Sequence, residues 1–266
     1  MPRPNILILR APGTNCDQET AFAFEQAGGK TEVLHINRLL EDPGLFEDFQ
    51  VLCIPGGFSY GDDVAAGRIL GNQIRHHLAQ RMAEFKDAGK LILGICNGFQ
   101  VLMKSGVLLD GRSTNGLAAT LTWNDSGKFE DRWVRLEVRG SKCVLLDGID
   151  SMYLPVAHAE GRFVTRDEQV LAELETGGQL VLCYLPLDGN PAGDSAGNSD
   201  AVPYPDNPNG SLRNVAGICD DTGRVLGLMP HPERHIDPTH HPRWTRGEAG
   251  DGDGRRVFAN AVEYFA

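Results

Sequence analysis

Gly94-Ile95-Cys96-Asn97-Gly98 carries the strongest chemical signal in the chain. An apolar run precedes it and a helical pattern follows, so the cysteine sits in the Gly-x-nucleophile-x-Gly form of a nucleophile elbow, with sulfur replacing a serine hydroxyl. The turn is tight and needs small residues two before and two after, and it pushes the side chain up at the carboxyl end of a sheet. That place also sets Cys96 near a helix N-terminus, where the dipole favours thiolate. The backbone N–H of Asn97 then points at an oxyanion growing on a bound carbonyl. The competing reading of Cys96 is a small buried apolar residue, the commoner fate of a free cysteine.

A thiol nucleophile requires a base, and the base requires an orienting acceptor. Among eight histidines, His231 stands out because His231-Pro232-Glu233 directly follows the apolar run Arg224–Met229. Residues two apart in extended chain face the same side, and Pro232 restricts both its own φ and the residue before it. Glu233 can therefore take one imidazole N–H while the other nitrogen faces the sulfur. Taken alone, a His-x-Glu pair is more often a loop histidine beside a solvated acid. The third segment is Pro55-Gly56-Gly57-Phe58-Ser59-Tyr60-Gly61-Asp62. Its paired glycines let backbone approach a ligand and offer free N–H groups, either to complete an oxyanion hole with Asn97 or simply to turn the chain before a helix. No Gly-Lys-Ser/Thr phosphate loop and no Gly-x-Gly-x-x-Gly dinucleotide loop is present.

Positioning these residues requires strands that end together. Asn5–Leu9, Thr31–Ile36, Val51–Ile54, Lys90–Ile95 and Arg224–Met229 read as strands, the first a continuous apolar run of the kind buried on both faces. Asp17–Ala27, most of Asp62–Ala88, Asn97–Lys104 and Arg255–Phe265 read as helices. Alternating strands and helices imply a parallel sheet. From Leu117 the rhythm changes to short strand candidates: Leu117–Trp123, Trp133–Val138, Tyr153–Ala157, Arg162–Val164, Val170–Leu174 and Leu180–Leu185. The expectation is one α/β domain over 1–266, a mainly parallel sheet flanked by helices, with antiparallel strands added to that same sheet. Pro186–Asn214, rich in Pro, Gly, Asn, Asp and Ser, reads as a long loop.

Composition narrows the partners. A formal charge of −11 with no basic run argues against nucleic acid, and no apolar stretch approaches a membrane span. Six scattered cysteines without a CxxC pair read as reduced thiols of a cytoplasmic protein, which leaves Asn124 and Asn209 as chance sequons. Cys16, also just past a strand, is a rival nucleophile without the flanking glycines. His235, Asp237, His240 and His241 have metal-ligand chemistry, but prolines and loop composition assign them to the surface. Gly250–Gly254 fails as a calcium loop because Arg255 and Arg256 stand where ligands should be. No metal site is expected.

The order Gly-Gly-Phe-Ser-Tyr-Gly-Asp, Gly-Ile-Cys-Asn-Gly-Phe-Gln, Pro-His-Pro-Glu-Arg resembles class I, triad-type glutamine amidotransferases. Pro12–Asp17, Ala157–Arg162 and Asn207–Ser211 are similar to the branch that serves phosphoribosylformylglycinamidine synthase, and the resemblance spans nearly the whole chain. It implies Cys96 as nucleophile, His231 as acid and base, Glu233 as its orienter, Gly57 and Asn97 as oxyanion donors, and Gln100 as a holder of substrate L-glutamine. It gives His158 and Glu160 a branch-specific place at the subunit contact. Ammonia would pass to a large synthetase subunit, with a small bridging subunit, and ATP and magnesium would bind that partner, with no cofactor in this chain. Ala159, where the branch suggests glycine, and Asp63-Val64-Ala65 depart from the pattern and bear on docking. Other Cys–His–Glu γ-glutamyl hydrolases or peptidases, or a catalytically silent regulatory subunit, remain alternatives.

Overall fold

The computed structural model describes residues 3–109, 117–187, 201–247 and 250–266. Its elements in chain order are β1 (Asn5–Arg10), α1 (Asp17–Gln26), β2 (Lys30–His35), α2 (Ile36–Glu41), β3 (Val51–Ile54), α3 (Arg68–Gln73), α4 (Ala79–Asp87), β4 (Leu91–Ile95) and α5 (Asn97–Ser105). There follow β5 (Ala119–Thr122), β6 (Glu130–Val138), β7 (Ser151–His158), β8 (Arg162–Thr165), α6 (Glu168–Thr176), β9 (Leu182–Leu185), β10 (Val215–Cys219), β11 (Val225–Leu228) and α7 (Arg255–Glu263).

Nine strands form one sheet in the order β2-β1-β3-β4-β11-β10-β9-β6-β7. The first five run parallel, and β10, β9, β6 and β7 continue it antiparallel. Every residue of β3, β4 and β11 is buried, as unbroken apolar runs in a doubly covered sheet require. Helices α1 and α7 meet through Phe24 and Phe258, edge to face at 4.9 Å, and α3 packs on α5.

Register sets up the site. Ile54 pairs with Gly94 and Ile95 with Leu228, so β3, β4 and β11 end level with one another. The segments beginning at Pro55, Cys96 and Met229 thus leave the sheet at one edge, the edge where open α/β sheets bind ligands.

Four expectations change. Val170–Leu174 lies inside helix α6: the Asp167 side chain accepts the Val170 N–H at 2.9 Å as an N-cap, and Val170 and Leu174, four apart, are its buried face. Leu117–Trp123 and Arg162–Val164 supply β5 and β8, which pair in a separate two-stranded sheet. The helix expected over 62–88 starts at Arg68, since Tyr60, Asp62 and Val64 have positive φ, and widens to a π turn at Ile74–Leu78. Strand β10 went unread beside the loop expected over 186–214, of which residues 188–200 lie outside the described residues.

Candidate active site

The elbow is built by close packing. Cys96 adopts φ 50° and ψ −104°, a left-handed backbone that L-residues rarely hold and that concentrates at functional sites. Its N–H donates to the Leu228 carbonyl at 2.8 Å, tying the bend to β11. A Cβ on Gly98 would run into the Ile54 carbonyl, and one on Gly94 would stand 2.7 Å from the Gly98 oxygen. Both glycines are therefore required by volume. Cys96 is 5% exposed, and its Sγ lies 3.7 Å from the Ala157 carbonyl.

His231 leaves β11 and is pinned by its N–H, which donates to Pro155 O of β7 at 2.9 Å. Its Nδ1 stands 2.6 Å from Glu233 Oε1. Burial opposes protonation of the imidazole, but the Glu233 carboxylate, then Cys96 and Cys16, through charge and hydrogen bonding, lift its pKa well above the ordinary range. Nε2 is buried without a hydrogen bond of good geometry in the protein, which leaves it available to share a proton. The structure thus brings Cys96, His231 and Glu233 together with one thiol, one imidazole and one carboxylate in sequence.

The glycine loop lies against the same point. A Cβ on Gly56 would meet His231 Cε1 at 2.8 Å, and Gly57, bridged to Thr14, has φ +136° and no room for a Cβ, which would stand 2.7 Å from Asn15 N. Among the described residues, neither the Gly57 nor the Asn97 backbone N–H donates a hydrogen bond, as two oxyanion donors require. The Asn97 side chain locks the loop to the elbow: Oδ1 accepts the Ser59 N–H at 3.1 Å, and Nδ2 donates to Asp62 Oδ1 at 3.0 Å and to Gln100 Oε1 at 2.9 Å. Gln100 is buried, and its Nε2 donates to the Glu160 carbonyl at 2.6 Å. Both ends of that amide are engaged inside the protein, so the structure does not present Gln100 as an open substrate ligand.

Three placements differ from the sequence reading. Cys16 lies beside the imidazole, buried, with Arg234 Nη2 3.1 Å from its Sγ. Burial pushes its thiol pKa up, against the lowering pull of His231, which does not favour a second nucleophile. Cys16, Glu19, His231 and Glu233 place ligand-type atoms within 4.8 Å of one another. A guanidinium already supplies positive charge there, since Arg234 Nε donates to Glu19 Oε1 at 2.9 Å. His158 and Glu160, assigned to a subunit contact, are instead buried at 3% and 8% exposure. His158 Nδ1 lies 3.2 Å from Asn124 Oδ1, and burial with nearby His231 lowers its pKa to about 3. Glu160 meets Lys104 at 3.6 Å and accepts the Ala66 N–H. His235 and His241, assigned to the surface, are also buried. No helix among the described residues is long and apolar enough to cross a membrane.

A family model for the CobB/CobQ-like glutamine amidotransferase domain matches residues 3–265, and the chain belongs to that family. At higher resolution it is 48% identical over 266 residues to phosphoribosylformylglycinamidine synthase subunit PurQ of Dehalococcoides mccartyi, covering 99% of this chain and 98% of that one. The corresponding Thermus thermophilus subunit is 37% identical over 264 residues, covering 97% and 98%. A chain of the PurLQS structure from Thermotoga maritima superposes with TM-score 0.73 at 30% identity, covering 100% of both chains.

Proposed function

We propose that the chain, as one domain over 1–266, is the glutaminase subunit of phosphoribosylformylglycinamidine synthase in purine biosynthesis. It splits L-glutamine into glutamate and ammonia, and the ammonia serves an ATP-dependent carbon–nitrogen ligase. Full-length similarity to named PurQ subunits supports the assignment. The observation that carries the chemistry is the buried Glu233–His231 pair beside a cysteine held at positive φ.

The Cys96 thiolate attacks the side-chain carbonyl carbon of glutamine. The resulting oxyanion rests on the Gly57 and Asn97 N–H groups, each such donor worth on the order of 10²–10³ in rate. Protonated His231 gives its proton to the departing nitrogen, so ammonia leaves and a γ-glutamyl thioester remains. Neutral His231 then takes a proton from water as the hydroxide adds to the thioester, and glutamate leaves as the thiolate is restored. Glu233 keeps the imidazole in the needed orientation throughout. Gln100 acts in this reading by fixing Asn97 and the Glu160 carbonyl around the substrate pocket.

A large synthetase subunit would receive the ammonia and bind ATP and magnesium, with a small bridging subunit completing a cytoplasmic assembly. The match to a chain of PurLQS supports a multi-subunit setting, and the acidic charge gives no reason to expect nucleic acid. In the assembled complex, Cys96→Ala should abolish glutamine-dependent synthesis and spare ammonia-dependent synthesis. A diazo-ketone analogue of glutamine should label Cys96 by mass spectrometry. Glutamine use by Cys96→Ala, or labelling elsewhere, would overturn the assignment.

A further inference from the structure

Four rings crowd together where β6 and β7 meet the segment after Glu233. Trp133 and Tyr153 lie with ring centres 5.2 Å apart. His235 stands edge-on to Trp133 at 5.1 Å, and His241 is 5.5 Å from Tyr153. Tyr153, His235 and His241 line a cavity of about 390 Å³ that none of Cys96, His231 and Glu233 reaches, with Arg135 and Arg243 on its wall. Its volume falls in the range of small-molecule sites. Nothing in the amide-splitting chemistry uses it.

The two imidazoles have complementary polarity. His235 Nδ1 is 2.7 Å from the Tyr153 carbonyl, which can only accept, so Nδ1 carries the hydrogen. Burial lowers the pKa of this ring, leaving it neutral near pH 7. Its Nε2 is then a bare acceptor, and it is buried without a partner in a residue only 1% exposed. That nitrogen has no accessible surface, so recognition by a hydrogen bond falls to the other ring. His241 Nδ1 accepts the Arg243 backbone N–H at 3.1 Å, which puts the ring's hydrogen on Nε2 as a donor. The two ring centres are 5.7 Å apart. Asp253, the cavity's carboxylate, already accepts the Tyr153 N–H through Oδ2 at 2.7 Å. Arg135 is exposed at the rim with no ion-pair partner among the described residues.

We propose that this cavity binds a small planar heteroaromatic anion. The flat face of the ring lies on Tyr153, a bare ring nitrogen takes the His241 Nε2 hydrogen, and the anionic group meets Arg135. A nucleoside monophosphate combines these features, because its base carries bare ring nitrogens and its phosphate is dianionic. The site is one helical turn from the imidazole of the triad: His231 and His235 hang on Pro155 and Tyr153 of one strand, and Pro232–Arg234 is the turn between them.

The test is isothermal titration calorimetry on the full-length chain with adenosine 5′-monophosphate as probe, and with adenosine and inorganic phosphate as its separate halves. Saturable one-site binding is expected, at least tenfold tighter than either half and at least tenfold weakened by Arg135→Glu, a change at an exposed side chain. Cys96→Ala should bind like the unaltered chain, so failure here is distinct from failure of the glutaminase assignment. Absence of binding at millimolar probe, equal affinity for phosphate alone, or undiminished binding by Arg135→Glu would overturn the proposal.

Discussion

Glu233 Oε1 lies 2.6 Å from His231 Nδ1, with side-chain exposures of 0% and 2%. A carboxylate this close and this dry acts on the imidazole in two ways: it fixes which nitrogen carries a hydrogen, and it supports the cationic ring against desolvation. Glu233→Gln keeps the shape and removes the charge. Glutaminase kcat/KM should fall on the order of 10²–10⁴. Loss of the anion lowers the His231 pKa, and the protonated ring is the form that gives its proton to the departing nitrogen. The alkaline limb of the pH profile should therefore move to lower pH, measured as glutamate release from pH 6 to 10. An unmoved limb would mean that the carboxylate only packs.

Gly98 and Gly89 separate two reasons for a glycine. Gly89 has φ +75° and open space around its side-chain position, whereas a Cβ on Gly98 meets the Ile54 carbonyl. Gly89→Ala should cost about 1–2 kcal/mol for the left-handed backbone alone, a Tm loss of roughly 2–8 °C for a chain of this size. Gly98→Ala drives a methyl into backbone that has no rotamer to change. It should lower Tm further and also disable the elbow, because α5 must back away from β3 and take the Asn97 N–H with it. Thermal unfolding and glutaminase assays of the pair check this, and equal effects would refute it.

Legibility in the sequence followed range. The elbow and the His231–Glu233 pair are local patterns, and the strands that aim them are fully buried runs, so both were readable. Helix α6 was misread because Val170, Leu171 and Leu174 in a short window fit a strand as well as a helix, and its Asp167 cap lies outside the apolar run. Cys16 reaches His231 only because β1, β3, β4 and β11 are neighbours in the sheet and Arg234 spans from the last strand's exit to α1. No spacing across a separation of 215 positions encodes that contact. His235 and His241 were assigned outward from the prolines around them, yet Trp133 and Tyr153 cover them from strands far earlier in the chain.

Asp62 joins the Asn97 side chain at 3.0 Å on the rim of the same site. Burial, with a smaller contribution from Glu160, raises its pKa to about 6, although the Gly67 N–H and Asn97 pull it down. The unfolded carboxyl titrates near the usual value of about 3.9. Between about pH 4 and 6 the native state therefore binds more protons than the unfolded chain, so this group makes stability fall as pH rises through that window, and the deficit is complete above it. Asp62→Asn removes the titration, keeps an oxygen to accept from Asn97, and tolerates the φ of 54° at this position. The variant's Tm relative to the unaltered chain should become more favourable from pH 4.5 to 7 and level off beyond. A difference that is flat across the window, or that grows towards acid, would show that the carboxylate is better accommodated at neutral pH than its burial implies.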